Sequence, residues 1–412
     1  MKKTLLKKYA YLIAKVGANV QKDQGVFLYA NVEQADFAAM VAEECYRLGA
    51  KYVLTQWDFQ PLEKLALQYQ TLETLSTTEK WQIEKLKMMV RDYPCRIYIL
   101  SDDPDGLKGV DVMKMQQANI ARYKKSKKYR DAIESKHQWT IAAAPSKKWA
   151  KKVFPELRVN RAVEKLWEEI LKTVRVSEDS DPVKEWEAHN RRFSERCEWL
   201  NAHRFDFITY KSQNGTDFRV DLISKGVWNG GGETTKQGIY FNPNLPTEEI
   251  FTSPMAGKCE GTLVATKPLC YQSQIIDGFW IRFEDGKAVE WDAKQGKDLL
   301  TKMLTIDKGA SMLGELALVP KESPINQSGI LFYETLFDEN ACCHVAVGMG
   351  FNDCIEGFLD MEDPNTQCRA LGVNDSLIHV DFMIGSDDLC ITGYKDGKAY
   401  PIFEEGHWAA LS

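Results

Sequence analysis

The rhythm of apolar runs changes once along the chain, and that change constrains the fold more than any other feature. Gly25–Ala30, Tyr52–Trp57, Arg96–Leu100 and Trp139–Ala144 are short apolar runs that read as strands. Between them, Ala35–Leu48 and about Pro61–Arg91 have helical spacing. Strand and helix in alternation predict an α/β layer, because parallel neighbours need a crossover between them. A long charged helix is expected over Pro182–Asn201. Beyond it strand-like runs crowd together: Asp206–Tyr210, Phe218–Leu222, Gly261–Ala265, Phe279–Phe283, Ile378–Ile384 and Leu389–Tyr394. The pairs Asn214-Gly215, Asp285-Gly286 and Asp396-Gly397 mark tight turns. Helical texture returns between about Lys297 and Leu313. The expected architecture is an N-terminal α/β domain with a largely parallel sheet over residues 1–183. An α+β C-terminal domain rich in antiparallel strands would follow over residues 184–412.

Composition removes several classes. With 412 residues, 44% of them hydrophobic, the chain can bury a core without a structural metal or disulfides. A metal bound here is therefore expected to be catalytic. The net charge of −6 argues against a nucleic-acid partner. From Leu331 to Ser412 there are 15 Asp and Glu against three basic residues, Arg369, Lys395 and Lys398. Such an excess suits cations, although a solvated acidic face has the same composition. The lysine runs at 124–128 and 147–152 read as solvated helix faces.

The ten cysteines form no CxxC pair, and Cys342 and Cys343 are adjacent, so free thiols in a reducing compartment are expected. The first apolar stretch is broken by Lys7, Lys8 and Lys15 and reads as an amphipathic helix. No window reaches the ~18 apolar residues of a membrane span. A cytoplasmic protein without a membrane partner is the expectation.

Six histidines narrow the search for chemistry. His137, His189, His203 and His407 have ordinary contexts and read as surface or satisfied core residues. His379 stands two residues before Asp381, so a strand would put both on one face. His344 follows Glu339 by five residues, a spacing that suits a loop leading into a new element. Glu315 lies in an apolar run with no opposite charge nearby, where burial without a partner is costly and a cation would offset the cost. The alternative is an exposed position on an edge strand. Glu248 and Glu249 follow Thr247, which by itself suggests a capped helix start. Carboxylates with imidazoles and no thiolate fit zinc, cobalt, manganese or magnesium in a hydrolytic site. No HExxH helix, GxSxG elbow or phosphate loop is present.

At these residues the sequence closely resembles the thermophilic aminopeptidase family, which contains aminopeptidase T, aminopeptidase S and the PepS enzymes. The matching segments are Asn244–Phe251, Gly314–Pro320, Ser323–Gly329, Leu336–His344 and His379–Ser386. The likeness extends to Val32-Glu33-Gln34 and Gly109-Val110-Asp111. The resemblance implies two divalent metal ions in the C-terminal domain, held by Glu249, Glu315, Glu339, His344, His379 and Asp381. Glu248 is not carried over. Glu315 is expected to bridge the ions or to handle the proton. The resemblance also implies a homodimer that cleaves N-terminal residues from peptides. One position departs: the family tyrosine seven residues after His344 is Phe351 here. A weakly active homologue that binds metal and peptides, and another di-metal hydrolase such as an amidase or phosphoesterase, are the alternatives. Tyr333 and Tyr394 are candidates for the missing hydroxyl.

Overall fold

The computed structural model describes residues 1–133, 135–272 and 274–410. The chain forms two compact units, one of residues 1–188 and 232–246, the other of residues 189–231 and 247–412. The helix Pro182–His203 carries the chain from the first into the second.

The first unit is built on a parallel sheet of β1 (Gly25–Asn31), β2 (Tyr52–Asp58), β3 (Cys95–Leu100) and β4 (Trp139–Ala143), in the order β2-β1-β3-β4. The helix Ala35–Arg47 buries Phe37, Ala38, Val41 and Cys45, a stripe at helical spacing. Its Phe37 ring stacks on Tyr9 at 5.5 Å and meets Trp167 edge-on at 5.2 Å, joining three helices through one aromatic cluster. The helical stretch expected over 61–91 is three helices, Gln60–Tyr69, Leu72–Ser76 and Lys80–Asp92. The breaks are local. The Thr71 side chain accepts from Thr74 N–H, and Glu79 forms a reciprocal capping box with Gln82, so each residue starts a new helix. The segment 232–246 adds the short pair β8 (Glu233–Thr234) and β9 (Tyr240–Phe241), and Asn244 bridges to Ile141 of β4.

The second unit holds two antiparallel sheets. The larger contains β5 (Phe207–Lys211), β6 (Asp217–Leu222), β11 (Pro254–Val264), β12 (Leu269–Tyr271), β13 (Gln274–Glu284) and β14 (Lys287–Gln295). It is completed by β18 (Cys390–Lys395), β19 (Lys398–Glu404) and β20 (His407–Trp408). The smaller sheet comprises β7 (Asn229–Gly230), β10 (Ile250–Thr252), β15 (Leu313–Leu318), β16 (His344–Gly348) and β17 (His379–Met383). Its order is β17-β16-β15-β10-β7, so β15 is the central strand. Glu315 therefore does not lie on an edge. Glu248 and Glu249 lead into β10 rather than starting a helix, because Ile250–Thr252 is paired with strands on both sides.

Successive strand residues face opposite ways, so each strand of the smaller sheet contributes to two faces. Ile250, Leu316, Leu318, Val345, Val347, Val380 and Phe382 share a hydrophobic core with Ile208, Val220, Phe279 and Ile281 of the larger sheet. Phe279 and Phe382 meet across it at 5.4 Å. The other face carries the titratable residues.

Candidate metal centre

Register brings this second set together. Ala346 of β16 is opposite Glu315 of β15 on one side and Asp381 of β17 on the other. Two residues along β16 in one direction the row is Ala317, His344 and Met383, and two residues in the other direction Gly348 pairs with His379. Small residues, Ala317, Ala346 and Gly348, thus separate the large polar ones and leave room between them. Glu249 enters from the segment before β10, and Glu339 from the 3-10 turn Glu339–Ala341.

Glu315 reaches this face through a bulge. Leu313 is opposite Val347 while Glu315 is opposite Ala346, so the register shifts across Gly314. Plain alternation would put residues 313 and 315 on one face; the extra residue sends Leu313 into the core and Glu315 to the polar side. Only glycine fits at 314, since a Cβ there would lie 2.3 Å from the Met349 carbonyl oxygen.

Two triads result. Glu249, Glu315 and His344 form one, and Glu315, His379 and Asp381 the other; within each, one potential ligand atom per residue lies within 4.8 Å of the others. Glu315 is common to both. His344 Nε2 is 3.2 Å from Glu249 Oε2, and His379 Nε2 is 3.0 Å from Glu315 Oε2 and 3.4 Å from Asp381 Oδ1. Each imidazole turns its other nitrogen to the backbone: His344 Nδ1 donates to the Cys342 carbonyl at 3.1 Å and His379 Nδ1 to the Met349 carbonyl at 2.7 Å. That pattern fixes the tautomer and aims Nε2 at the cluster, as metal-binding histidines require. Glu339 belongs to neither triad, but it and Asp381 line one cavity of about 90 Å³.

The charge balance favours a cation. Four carboxylates and two imidazoles share a largely buried volume, with Glu315 5% and His344 1% exposed. Burial drives the Glu315 carboxyl up to about 7, against the lowering effect of His379. Burial and the surrounding carboxylates, Glu249 first, hold Glu339 well above its usual range. Burial disfavours the charged form of His344, but the hydrogen bond and charge of Glu249 outweigh it and bring the imidazole to about 9. Asp381 goes the other way, to about 2: burial opposes ionisation and the neighbouring His379 overcomes it. Its Oδ1 is buried with no aligned hydrogen-bond donor among the described residues. A buried acceptor left in this state is costly, and a divalent cation would satisfy it. Oxygen and imidazole donors in this mixture fit zinc or a first-row divalent ion.

The Phe351 ring packs 4.7 Å from the His379 imidazole and 5.7 Å from Phe251. Of the two hydroxyls considered for its place, that of Tyr394 belongs to a ring stacked on Phe207 in the larger sheet. Tyr333 lines the cavity that Glu339 and Asp381 share. Gly314 escaped the sequence reading; its position just before a carboxylate in an apolar strand is the one signal that pointed to a bulge.

Comparison with known proteins shows the family and the fold. Residues 2–408 match the family described as "Thermophilic metalloprotease (M29)". Aminopeptidase 2 of Geobacillus stearothermophilus is 40% identical over 406 residues, 98% of this chain and 97% of the relative. Aminopeptidase PepS of Streptococcus thermophilus is 38% identical, covering 98% of this chain and 97% of its own. The solved structure of wild-type AmpT from Thermus thermophilus superposes with a TM-score of 0.91 at 38% identity, over 99% of this chain and all of that one.

Proposed function

The chain belongs to the thermophilic metalloprotease family, and from that membership we propose that it is an aminopeptidase working through two divalent metal ions. The observation that carries the reading is the pair of triads with Glu315 in common. Glu249 and His344 would hold one ion, His379 and Asp381 the other, and Glu315 would bridge them. Glu339, whose carboxyl is held well above its usual range by burial and the neighbouring carboxylates, would complete the ligand set in its ionised form. Two bound ions would supply Lewis acidity at the scissile carbonyl and lower the pKa of the attacking water. A metal ion or a nearby carboxylate would receive the substrate's free α-amine, confining cleavage to the first residue. The apolar core behind β15 and β16 keeps bulk water from the back of the sheet.

Zinc, cobalt, manganese and magnesium remain within reach of this donor set. A homodimer in the cytoplasm belongs to the same reading. A reducing compartment is supported by the ten cysteines, which form no disulfide. Among the described residues no helix is long and apolar enough to cross a membrane. The test is turnover of leucyl and arginyl anilides with added cobalt, zinc or manganese, alongside phosphate esters. Metal-dependent release of the first residue supports the proposal. Ester cleavage alone would make the chain a different di-metal hydrolase. Metal binding with no turnover of either would make it the weak homologue that Phe351 suggests.

A further inference from the structure

The peptide bond between Thr247 and Glu248, one residue before Glu249, is held at both polar ends. Its carbonyl oxygen accepts from His189 Nε2 at 2.8 Å, which puts the imidazole proton on that nitrogen. Its N–H donates to Asn340 Oδ1 at 2.6 Å. Both holding residues are themselves fixed. Asn340 is wholly buried, and its Nδ2 donates to the Leu336 carbonyl at 2.9 Å, which sets the direction of the carboxamide. The Asn340 carbonyl accepts from Ser323 Oγ at 2.7 Å. His189 is buried on the helix Pro182–His203, edge-on to Phe193 at 4.5 Å.

A peptide unit is planar, so hydrogen bonds at both its oxygen and its nitrogen fix its orientation. Little freedom is left between that plane and the first residue of β10. Glu249 sits in this interval, with its carboxylate 3.2 Å from His344. Asn340 also follows Glu339 directly, so one carboxamide ties the main chain of two site carboxylates together. Metal centres need ligands held to fractions of an ångström by partners outside the ligand set.

We propose that Asn340 and His189 are positioning residues of the metal centre, which together hold the Thr247–Glu248 peptide and so aim the Glu249 carboxylate at the ion shared with His344. The inference rests on the two-metal reading of the site. Its test compares Asn340→Ala, His189→Phe, His189→Gln and Ser323→Ala with the natural protein. Cobalt binding is followed by visible absorbance, the number of ions by equilibrium dialysis, and the melting of the metal-free protein separately. Asn340→Ala and His189→Phe should weaken binding of one ion about 10–100-fold and change the cobalt spectrum. His189→Gln, which restores a donor near the Nε2 position, should recover most of that loss. Ser323→Ala removes the hydrogen bond to the Asn340 carbonyl and the cap on Ile325 N–H but leaves the Asn340 carboxamide its own partners, so it should lower the melting temperature with much less loss of metal affinity than Asn340→Ala. Normal cobalt affinity in both Asn340→Ala and His189→Phe, or an equal loss in Ser323→Ala, would overturn the proposal. If Asn340→Ala does not fold, the two His189 variants decide. A natural protein that binds two ions yet cleaves no aminoacyl anilide refutes the aminopeptidase reading and leaves the positioning role intact.

Discussion

Phe351 sets the first expectation at the scale of single residues. Its ring lies 4.7 Å from that of His379, a member of the triad with Glu315 and Asp381, and a tyrosine there would add a hydroxyl to that ring. Removing one donor aimed at a developing oxyanion costs ~10²–10³ in turnover, about 3–4 kcal/mol. Phe351→Tyr should therefore raise kcat on a peptide substrate at saturating metal and leave metal affinity unchanged. Robust natural activity with no gain in the variant would end that idea. The shared carboxylate gives the second expectation. Glu315→Gln should abolish binding at both positions, whereas Glu249→Gln should weaken one, because Glu249 belongs to a single triad. Metal analysis after dialysis reads this directly, and a Glu315→Gln protein that keeps two ions would refute the bridge. The residue types were legible in the chain: a carboxylate without a cationic neighbour, and a histidine two positions from an aspartate. Which carboxylate is common to both triads was not, because that depends on strands distant in sequence.

At the scale of elements, the bulge in β15 decides which face Glu315 occupies. A methyl group at 314 would press on the carbonyl oxygens of Met349 and Gly348 at 2.3 and 2.5 Å. Those are backbone atoms that cannot swing away. Gly314→Ala should cost about 1–3 kcal/mol of stability, the usual range for overpacking, and weaken metal binding as well. Urea unfolding with a parallel cobalt titration would show it, and loss of stability alone would mean the strand keeps its register. A second element-level expectation concerns pH. His137, between the helix Val112–Ile133 and β4, donates from Nδ1 to the Ile133 carbonyl at 2.9 Å and accepts at Nε2 from Arg96 at 2.7 Å. Burial, then the Arg96 charge, hold its pKa at about 4. Between the unfolded value of ~6.5 and that figure, the unfolded chain binds a proton that the folded chain refuses. Stability is thus complete above pH ~6.5 and lost on acidification, by as much as about 3 kcal/mol at pH 4. His137→Gln should flatten this dependence between pH 7 and 5. Identical profiles for the two proteins would exclude His137 as the cause. The strands and their alternation were visible in sequence. The breaks at Thr71 and Glu79 were less so, since caps compete with a helical pattern that continues on both sides.

For the molecule as a whole, the proposed metal centre should also be a source of stability. A buried carboxylate cluster gains from any cation that binds only the folded state, by about 2.7 kcal/mol for each site at a hundredfold excess over Kd. Chelation should then lower the main melting transition by roughly 5–10 °C per site for a unit of this size, and zinc or cobalt should restore it. Unchanged melting after verified removal of the ions would show that the cluster tolerates its own repulsion. By itself the sequence determined the class of each half, since strand and helix periods are local properties that the backbone imposes within a few residues. It also supplied the donor chemistry, because oxygen and nitrogen ligands are properties of residue types. Only the tertiary structure decided that Glu249, Glu315, His344, His379 and Asp381 form two triads at one face of a five-stranded sheet, that Glu339 shares a cavity with Asp381, and that a bulge turns Glu315 toward them. It alone showed Asn340 and His189 holding the peptide before Glu249. Those relations join segments far apart in the chain, and the register and packing that create them exist only once the sheets have formed.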